Sequence, residues 1–333
     1  SYPHELLHNW WGNGVFVDFE SGSRCEGLST YMADHLIAEQ RGTAAVYRRT
    51  TLQGYPVNVT VENEFPLSRW SSRSNAAASA IGYGKTMMIW NMLRLEVGDD
   101  NFKRVWQKFY RDNTFRRASF DDIRAAFEAV TDRDFGAFFE QWVMRSGAPE
   151  LTIGNVRAVQ NGATHEVEFE LSQIQPGEAF RLAVPVVVYT AEEARQEILS
   201  MGRKQQSFTI PVGSAPLRVE VDPRFDLMRR LDYREIPPAL SKMFGAERTL
   251  LILPSAAGED ELARYQQLAR TWKGDQGEAF EIRLDSDIKE LPADRSVWVL
   301  GPQNRWRSVI DEGLQTYDTD TGPASMRFGT QSI

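Results

Sequence analysis

The sequence predicts a multidomain α+β protein with a mostly helical first part, an antiparallel β-sandwich and a C-terminal α/β domain. Three observations support this. Apolar residues recur at helical spacing in residues 1–150, at every second position in residues 151–235, and in short buried runs around a helical stretch in residues 236–333. At 333 residues the chain exceeds what one hydrophobic core usually supports, so two or three domains are expected.

The first 150 residues combine helical periodicity with signals for helix ends. An apolar stripe around residues 6–11 predicts a first helix. Ser119 stands three residues before Asp122, as in a capping box, and Gly147 with Pro149 ends the helical region. Further helices are predicted at 33–38, 86–95, 119–130 and 134–144.

The middle of the chain alternates apolar and acidic residues. Val167, Phe169 and Leu171 stand between glutamates, which is typical of a strand with one buried face. Glycine and proline separate this run from the others, so a small antiparallel sandwich is expected. Further strands are predicted at 184–189, 208–212 and 217–221.

The last block reads as strand, helix, strand, strand. Strands are predicted at 249–253, 280–284 and 297–300, with a helix at 259–272. The block contains no GxGxxG segment, so nucleotide binding is unsupported. The tail from Thr316 is predicted to be a loop.

The composition of the chain argues against some partners and some kinds of structure in this protein. The net charge is −8, and an acidic surface repels phosphate backbones, so no nucleic-acid partner is expected. No apolar run approaches the roughly 20 residues that cross a bilayer, so no transmembrane segment is expected. The single cysteine, Cys25, excludes an intramolecular disulfide and a zinc cluster built from several thiolates. The compartment stays open, and a bacterial periplasm or cell envelope is favoured over the cytoplasm.

Residues 4–8 read HELLH, which is the HExxH pattern of a zinc site. On a helix, His4 and His8 lie on one face about a turn apart and can bind one Zn²⁺. Glu5 lies beside that face, where a carboxylate can reach a metal-bound water as general base. A bare HExxH also arises by chance, and the alternative is a pair of surface histidines on a helix.

A catalytic zinc needs a third protein ligand and an open position. Glu26 is the candidate, because it begins a second helical run that a turn can bring over the two histidines. Only four histidines occur in the chain, and two of them occupy this motif. The pattern therefore favours a metal site of two imidazoles and one carboxylate.

The motif region resembles a known family. HELLHNWWGN at 4–13 is similar to the HExxHxWxGN signature of M1 family aminopeptidases, which are gluzincins with a thermolysin-like catalytic portion. Glu26-Gly27 followed by Tyr31 looks like that family's glutamate-ligand segment, NEGxxxY. The resemblance implies that His4, His8 and Glu26 bind Zn²⁺ and that Glu5 is the general base.

A further segment extends the resemblance. IGYGK at 81–85 is similar to the family's YxKG segment, whose tyrosine stabilises the oxyanion, so Tyr83 is expected in that role.

Some positions depart from the family pattern. The spacer between His8 and Glu26 is one residue shorter than usual, and Ala33 stands where an acidic residue is common, with Asp34 next to it.

The resemblance implies zinc-dependent peptide hydrolysis by an aminopeptidase that removes N-terminal residues. The family's GxMEN segment, which binds the substrate amino group, is not in the sequence. The chain is therefore interpreted as a C-terminal fragment that begins at the HExxH helix, with the N-terminal part of the same protein as its missing partner. Alone, it is expected to bind zinc with little or no peptidase activity.

Three alternatives remain open at the level of sequence. One is an endopeptidase or other hydrolase on the same zinc site. The second is a non-catalytic or partner-binding fragment with a vestigial site. The third is a binding function in the α/β block of residues 237–333. Among other residues, His35 is predicted to be structural, and Arg24 is a candidate for orienting Glu26 or Glu5.

Overall fold

The computed structural model describes residues 2–161, 164–232, 235–236, 246, 248–274, 277–292, 295–314, 319–321, 326–328 and 331–332. The chain divides into two compact units, residues 1–236 and residues 237–333. Within the described ranges, every helix is too short or too polar to cross a bilayer. The mixture of helices and antiparallel sheets that the sequence predicts is confirmed, and the division at residues 150 and 235 stays a prediction.

The described helices of the first unit all lie before residue 145. They are α1 Tyr2–Leu7, α2 Cys25–Ser29, α3 Leu36–Gln40, α4 Ala44–Asn58, α5 Ala76–Ser79, α6 Thr86–Val97, α7 Asp99–Asn113, α8 Phe120–Thr131 and α9 Gly136–Phe139. Three π-helical turns continue α2, α5 and α9, and they span Thr30–His35, Ala80–Lys85 and Glu140–Met144.

Local sequence signals explain where these helices begin and which face they bury. The Ser119 hydroxyl accepts from the backbone of Asp122 and the Asp122 carboxylate accepts from the backbone of Ser119, so the predicted capping box begins α8. Helix α7 buries one apolar stripe at helical spacing, Phe102, Val105, Trp106 and Phe109. The long helix α4 was not predicted, since its apolar residues are sparse.

Two short strands and two antiparallel sheets complete the first unit. Strands β1 Phe16–Val17 and β2 Arg117–Ala118 pair in parallel. One sheet has the order β3 Leu151–Asn161, β4 Thr164–Gln173 and β7 Gln205–Val212, and the other has the order β6 Ala194–Met201, β5 Leu182–Thr190 and β8 Pro216–Val221. In β4, Val167, Phe169 and Leu171 are buried as predicted, and Phe169 pairs with Phe208 of β7.

Buried cations join the helices to the segments around the sheets. Arg48 of α4 donates to the carbonyls of Arg224 and Phe225 at 2.9 and 3.1 Å and forms an ion pair with Asp226 at 2.7 Å. Lys85 donates to the Gly147 carbonyl at 3.0 Å, and burial lowers the pKa of its ammonium to about 8. Helix α4 and the second π turn are therefore held from the side of the sheets.

The second unit contains a small parallel sheet. Its strand order is β10 Phe280–Leu284, β9 Thr249–Leu253, β11 Ser296–Val299, with helices α10 Glu259–Lys273 and α11 Arg307–Leu314. The predicted strands and the first helix agree with these bounds to within one residue at each end. The predicted loop after Thr316 is wrong for the described residues, which form a short antiparallel sheet, β12 Thr319–Thr321, β13 Met326–Phe328 and β14 Gln331–Ser332.

Candidate metal centre and cleft

The two motif histidines lie against each other at the end of α1. His4 is in the helix and His8 is in the turn that follows it, and their ring centroids are 4.9 Å apart. His4 is 7% exposed, and the His8 ring is half-buried. The spacing of four residues along a helical turn thus brings two imidazoles to one side of α1, as the sequence predicts.

Glu26 enters the same space from α2. Its Oε2 lies 3.2 Å from Nε2 of His4 and 3.5 Å from Nε2 of His8. Ligand atoms bound tetrahedrally at 2.0–2.1 Å from zinc lie about 3.3 Å from one another. One donor atom from each of the three residues lies within 4.8 Å of the other two. The spacing of the three residues therefore suits one small cation.

Hydrogen bonds at the far side of each ring fix the tautomers that a metal requires. Nδ1 of His4 lies 2.8 Å from the Asp34 carboxylate, and Nδ1 of His8 lies 3.2 Å from the Trp11 carbonyl. Both acceptors take a proton on Nδ1, which leaves Nε2 of each ring, directed toward Glu26, as the nitrogen that can bind a metal. Two imidazole nitrogens and a carboxylate oxygen at this spacing need a cation or a proton between them. The donor set thus fits a metal ion.

A π turn brings Asp34 to the histidines. Glu26 and Asp34 are eight residues apart, whereas an ordinary α-helix brings residues seven apart back to one face. In the π turn Thr30–His35 each backbone hydrogen bond joins residues five apart instead of four. The turn therefore contains one extra residue, and the side chain that faces the same way as Glu26 belongs to the eighth residue after it instead of the seventh. Asp34 therefore contacts His4, and the alanine at position 33 is buried elsewhere.

Replacing Asp34 with Ala is expected to weaken zinc binding by about 10–100-fold, because His4 loses the partner that fixes its tautomer and orientation. The measurement is a titration of the metal-free protein with zinc against a competing chelator. Asp100→Ala, an exposed acidic position of α7, is the matched control and should leave the affinity unchanged. Equal affinities in the two variants would contradict the role of Asp34.

Glycines allow α2 and the second π turn to approach closely. A Cβ atom at Gly27 would lie 2.3 Å from Cβ of Thr86, and one at Gly82 would lie 1.9 Å from the Trp70 ring. Neither position tolerates a side chain without displacing its neighbour. This packing places Glu26, next to Gly27, and Tyr83, next to Gly82, at the same cleft.

Tyr83 lies next to the candidate metal ligands. Its ring is stacked with that of His4 at a centroid distance of 6.4 Å, and its edge meets Trp70 at 5.8 Å. Burial, followed by the charge of Glu26 and a hydrogen bond to it, raises the pKa of Tyr83 to about 12. The phenol thus keeps its proton at neutral pH and remains a hydrogen-bond donor.

An open cleft of about 740 Å³ joins the residues that the motifs single out. His4, Glu5, His8, Glu26 and Tyr83 all line it. Glu5 is exposed to the cleft and is not part of the three-residue donor group. Residues of α4 also line it. The structure therefore brings together all five predicted site residues.

Two residues next to the site, Cys25 and Arg24, have other contacts. Cys25 is buried, and its sulfur lies 3.2 Å from Nδ1 of His8, on the side of the ring that faces away from Glu26. Arg24 does not hydrogen-bond Glu26 or Glu5; its guanidinium donates to the carbonyls of Ala118 and Phe16 at 2.7 and 3.4 Å and so fixes the entry to α2. Cys25 is thus a neighbour of the site rather than a member of its donor set.

His35 is a buried structural residue, as the sequence predicts. It is 0% exposed and stacks on Tyr31 at 4.9 Å. Its Nε2 lies 2.8 Å from Nη1 of Arg48 and accepts from it, so the ring is neutral. Burial and then the charge of Arg48 lower the pKa of His35 from 6.5 to about 4.

This shift predicts an acid-dependent loss of stability. Between about pH 6.5 and 4 the unfolded chain binds a proton at His35 that the folded chain does not, so the free energy of unfolding falls as pH falls. The full effect is about 3 kcal/mol. Urea unfolding of the metal-free protein at pH 7 and pH 4 should show this loss in the wild type and a smaller one in His35→Gln. His165→Gln, in β4, should behave as the wild type; an unchanged pH dependence in His35→Gln would contradict the assignment.

The first part of the chain is similar in sequence to known proteins. The sequence profile of the Peptidase family M1 domain matches residues 3–142. A protein named aminopeptidase N from Haemophilus influenzae is 26% identical over 228 residues, which cover 62% of this chain and 26% of that protein. Aminopeptidase N from Escherichia coli is also 26% identical, over 179 residues that cover 52% of this chain and 20% of that protein.

A crystal structure of Legionella pneumophila aminopeptidase A in complex with aspartic acid covers 72% of this chain and 27% of its own, with a TM-score of 0.49 and 18% identity. The aligned region spans about a quarter or less of the length of the curated relatives. The matched domain contains the candidate metal ligands, Glu5 and Tyr83. Residues 3–142 therefore carry a Peptidase family M1 domain, and the chain is similar to proteins named aminopeptidase N.

Proposed function

We propose that this chain carries the metal centre of a zinc-dependent aminopeptidase, with His4, His8 and Glu26 as the ligands. The observation that carries the proposal is the donor set itself. Glu26 Oε2 lies 3.2 and 3.5 Å from two Nε2 atoms whose opposite ring nitrogens are engaged. Imidazole and carboxylate ligands together are typical of catalytic zinc, which when bound supplies a Lewis acid for the scissile carbonyl and lowers the pKa of water.

Two side chains of the cleft act in the proposed reaction, one by transferring a proton and the other by donating a hydrogen bond. Glu5 takes the proton of the attacking water and delivers it to the leaving amine, since it is exposed and lines the same cleft as the ligands. Tyr83 donates a hydrogen bond to the oxygen that becomes negative in the transition state. Its raised pKa keeps the phenol protonated for this role.

Removal of N-terminal residues is the activity that the similarity to proteins named aminopeptidase N favours. Three carboxylates line the cleft, Glu5, Glu26 and Asp34, and a bound Zn²⁺ would offset two of their charges. The remaining carboxylate charge attracts a free α-amino group, whose pKa is near 8 and which is largely cationic at neutral pH.

The test compares aminoacyl fluorogenic substrates with the same compounds acetylated at the amino terminus. The zinc-loaded protein that carries this chain should cleave the free-amine series and lose activity after chelation. Equal cleavage of acetylated substrates would identify an endopeptidase instead. Zinc binding without any turnover would identify a non-catalytic site.

A further inference from the structure

The charges that line the cleft are unequal in number. Its acidic members are Glu5, Glu26 and Asp34. Among the described residues that line the cleft, Arg73 is the only lysine or arginine. Arg73 is therefore the side chain of this lining that can attract and bind an anionic group of a ligand.

Arg73 is exposed, and within the described part of the chain its guanidinium takes part in no hydrogen bond or ion pair. The backbone on both sides of it is nevertheless fixed. On one side Trp70 is buried and donates from Nε1 to the Ala78 carbonyl at 2.7 Å. On the other side Asn75 caps α5 by accepting from the Ala78 backbone at 2.8 Å. An unpaired guanidinium on an anchored segment is ready to bind a ligand.

Arg73 shares a cleft with the residues that the proposed reaction uses. It lines this cleft together with His4, His8, Glu26 and Tyr83. Its charge lowers the pKa of the Tyr83 phenol, against the larger effects of burial and Glu26, and the Tyr83 ring is stacked with that of His4. A group bound to Arg73 therefore lies in the same cleft as a peptide bond positioned at the candidate ligands.

We propose that Arg73 determines specificity by binding a carboxylate of the peptide substrate close to the scissile bond. This inference rests on the proposed function, in that the cleft must accept peptides. Arginine presents two parallel N–H groups that match a carboxylate, and such charge-assisted pairs are among the strongest hydrogen bonds in proteins. The carboxylate comes from the side chain of an acidic residue or from the free carboxyl terminus of a short peptide.

The experiment measures binding rather than turnover, so that it does not depend on catalysis. The zinc-loaded protein carrying Glu5→Gln is titrated calorimetrically with tripeptides in two matched pairs. The first pair consists of two tripeptide amides, one with glutamate and the other with glutamine at the second and third residues. The other pair compares the free acid with the amide of an uncharged tripeptide. If the protein prefers glutamate to glutamine in the first pair, the bound carboxylate is that of a side chain. If it prefers the free acid to the amide in the second pair, the bound carboxylate is the carboxyl terminus.

Arg73→Gln should abolish whichever preference the protein shows, with a loss of about 10–100-fold in affinity for the carboxylate-bearing peptide and little change for its neutral partner. Arg73→Lys should retain part of the preference. Arg69→Gln, an exposed arginine outside the cleft lining, is the matched control. Zinc content in all variants reports on folding of the site.

The inference is overturned if neither pair shows a preference, or if Arg73→Gln retains it or Arg69→Gln removes it equally. A carboxylate preference that depends on Arg73 supports the inference even where the protein proves unable to hydrolyse peptides. Cleavage of peptides without such a preference leaves the proposed function standing and removes only the role of Arg73. The two proposals therefore fail separately.

Discussion

Replacing Glu26 with Gln is expected to weaken zinc binding by more than about 100-fold, a larger effect than the loss of a partner outside the donor set. Gln keeps the shape of the side chain and removes the negative charge that lies 3.2 and 3.5 Å from the two imidazole nitrogens. The cation then has two neutral ligands and a weak amide oxygen. Competition with a chromogenic chelator measures the affinity directly.

The matched control is Glu20→Gln, an exposed glutamate in the segment between the two motifs. It alters the net charge of the chain by the same amount and should bind zinc as the wild type does. Far-ultraviolet circular dichroism of both variants checks that the helices are retained. If Glu26→Gln binds zinc as tightly as Glu20→Gln does, position 26 is not a ligand.

Replacing Glu5 with Gln is expected to lower kcat for peptide hydrolysis by about 10²–10⁴-fold in the protein that carries this chain, while zinc remains bound. The carboxylate lines the cleft outside the donor group of His4, His8 and Glu26, so its loss removes a proton acceptor and leaves the ligands in place. A fall in kcat with unchanged zinc content separates a general base from a ligand.

Glu62→Gln, an exposed position away from the cleft lining, is the control for this second variant. Its kcat and its zinc content should both match those of the wild type. Loss of zinc in Glu5→Gln would make Glu5 part of the metal site. Full activity in Glu5→Gln would remove it from the proton transfer.

The residues of the donor set were predictable because their spacing follows local helix geometry. Two histidines four apart meet on one face of any helix, so HELLH predicts their approach without tertiary information. Glu26 required the further step that a second helix crosses the first. The close packing that permits it depends on Gly27 and Gly82, whose neighbours Thr86 and Trp70 are distant in sequence.

The partner of His4 was not predictable in the same way. An α-helical count from Glu26 leads to Ala33, and only the π turn Thr30–His35 moves the contact to Asp34. Such a turn follows from one additional residue in a helix that is held at both ends, and it has no short sequence signature. Arg73 was missed because an exposed arginine between two elements carries no periodic signal.

Strands differed in how well they could be predicted. In β4 alternation of apolar and acidic residues gives one buried face, whereas β6 buries only one of its eight residues, Met201. Strand β6 and most of β3 therefore lack the alternation that predicts a strand. The second unit was predicted well at β9 and β10. Strand β9, TLLIL, is a continuous apolar run that ends before Pro254, and β10, FEIRL, alternates apolar and charged residues.

X-ray absorption at the zinc edge, on protein loaded with one equivalent of zinc, tests the metal centre most directly. A shell of nitrogen and oxygen ligands near 2.0–2.1 Å, with imidazole scattering from two histidines and no sulfur at about 2.3 Å, is the predicted result. A sulfur ligand would indicate that Cys25 displaces Glu26. A spectrum unchanged by substitution of His4 or His8 would show that zinc binds elsewhere and would contradict the assignment.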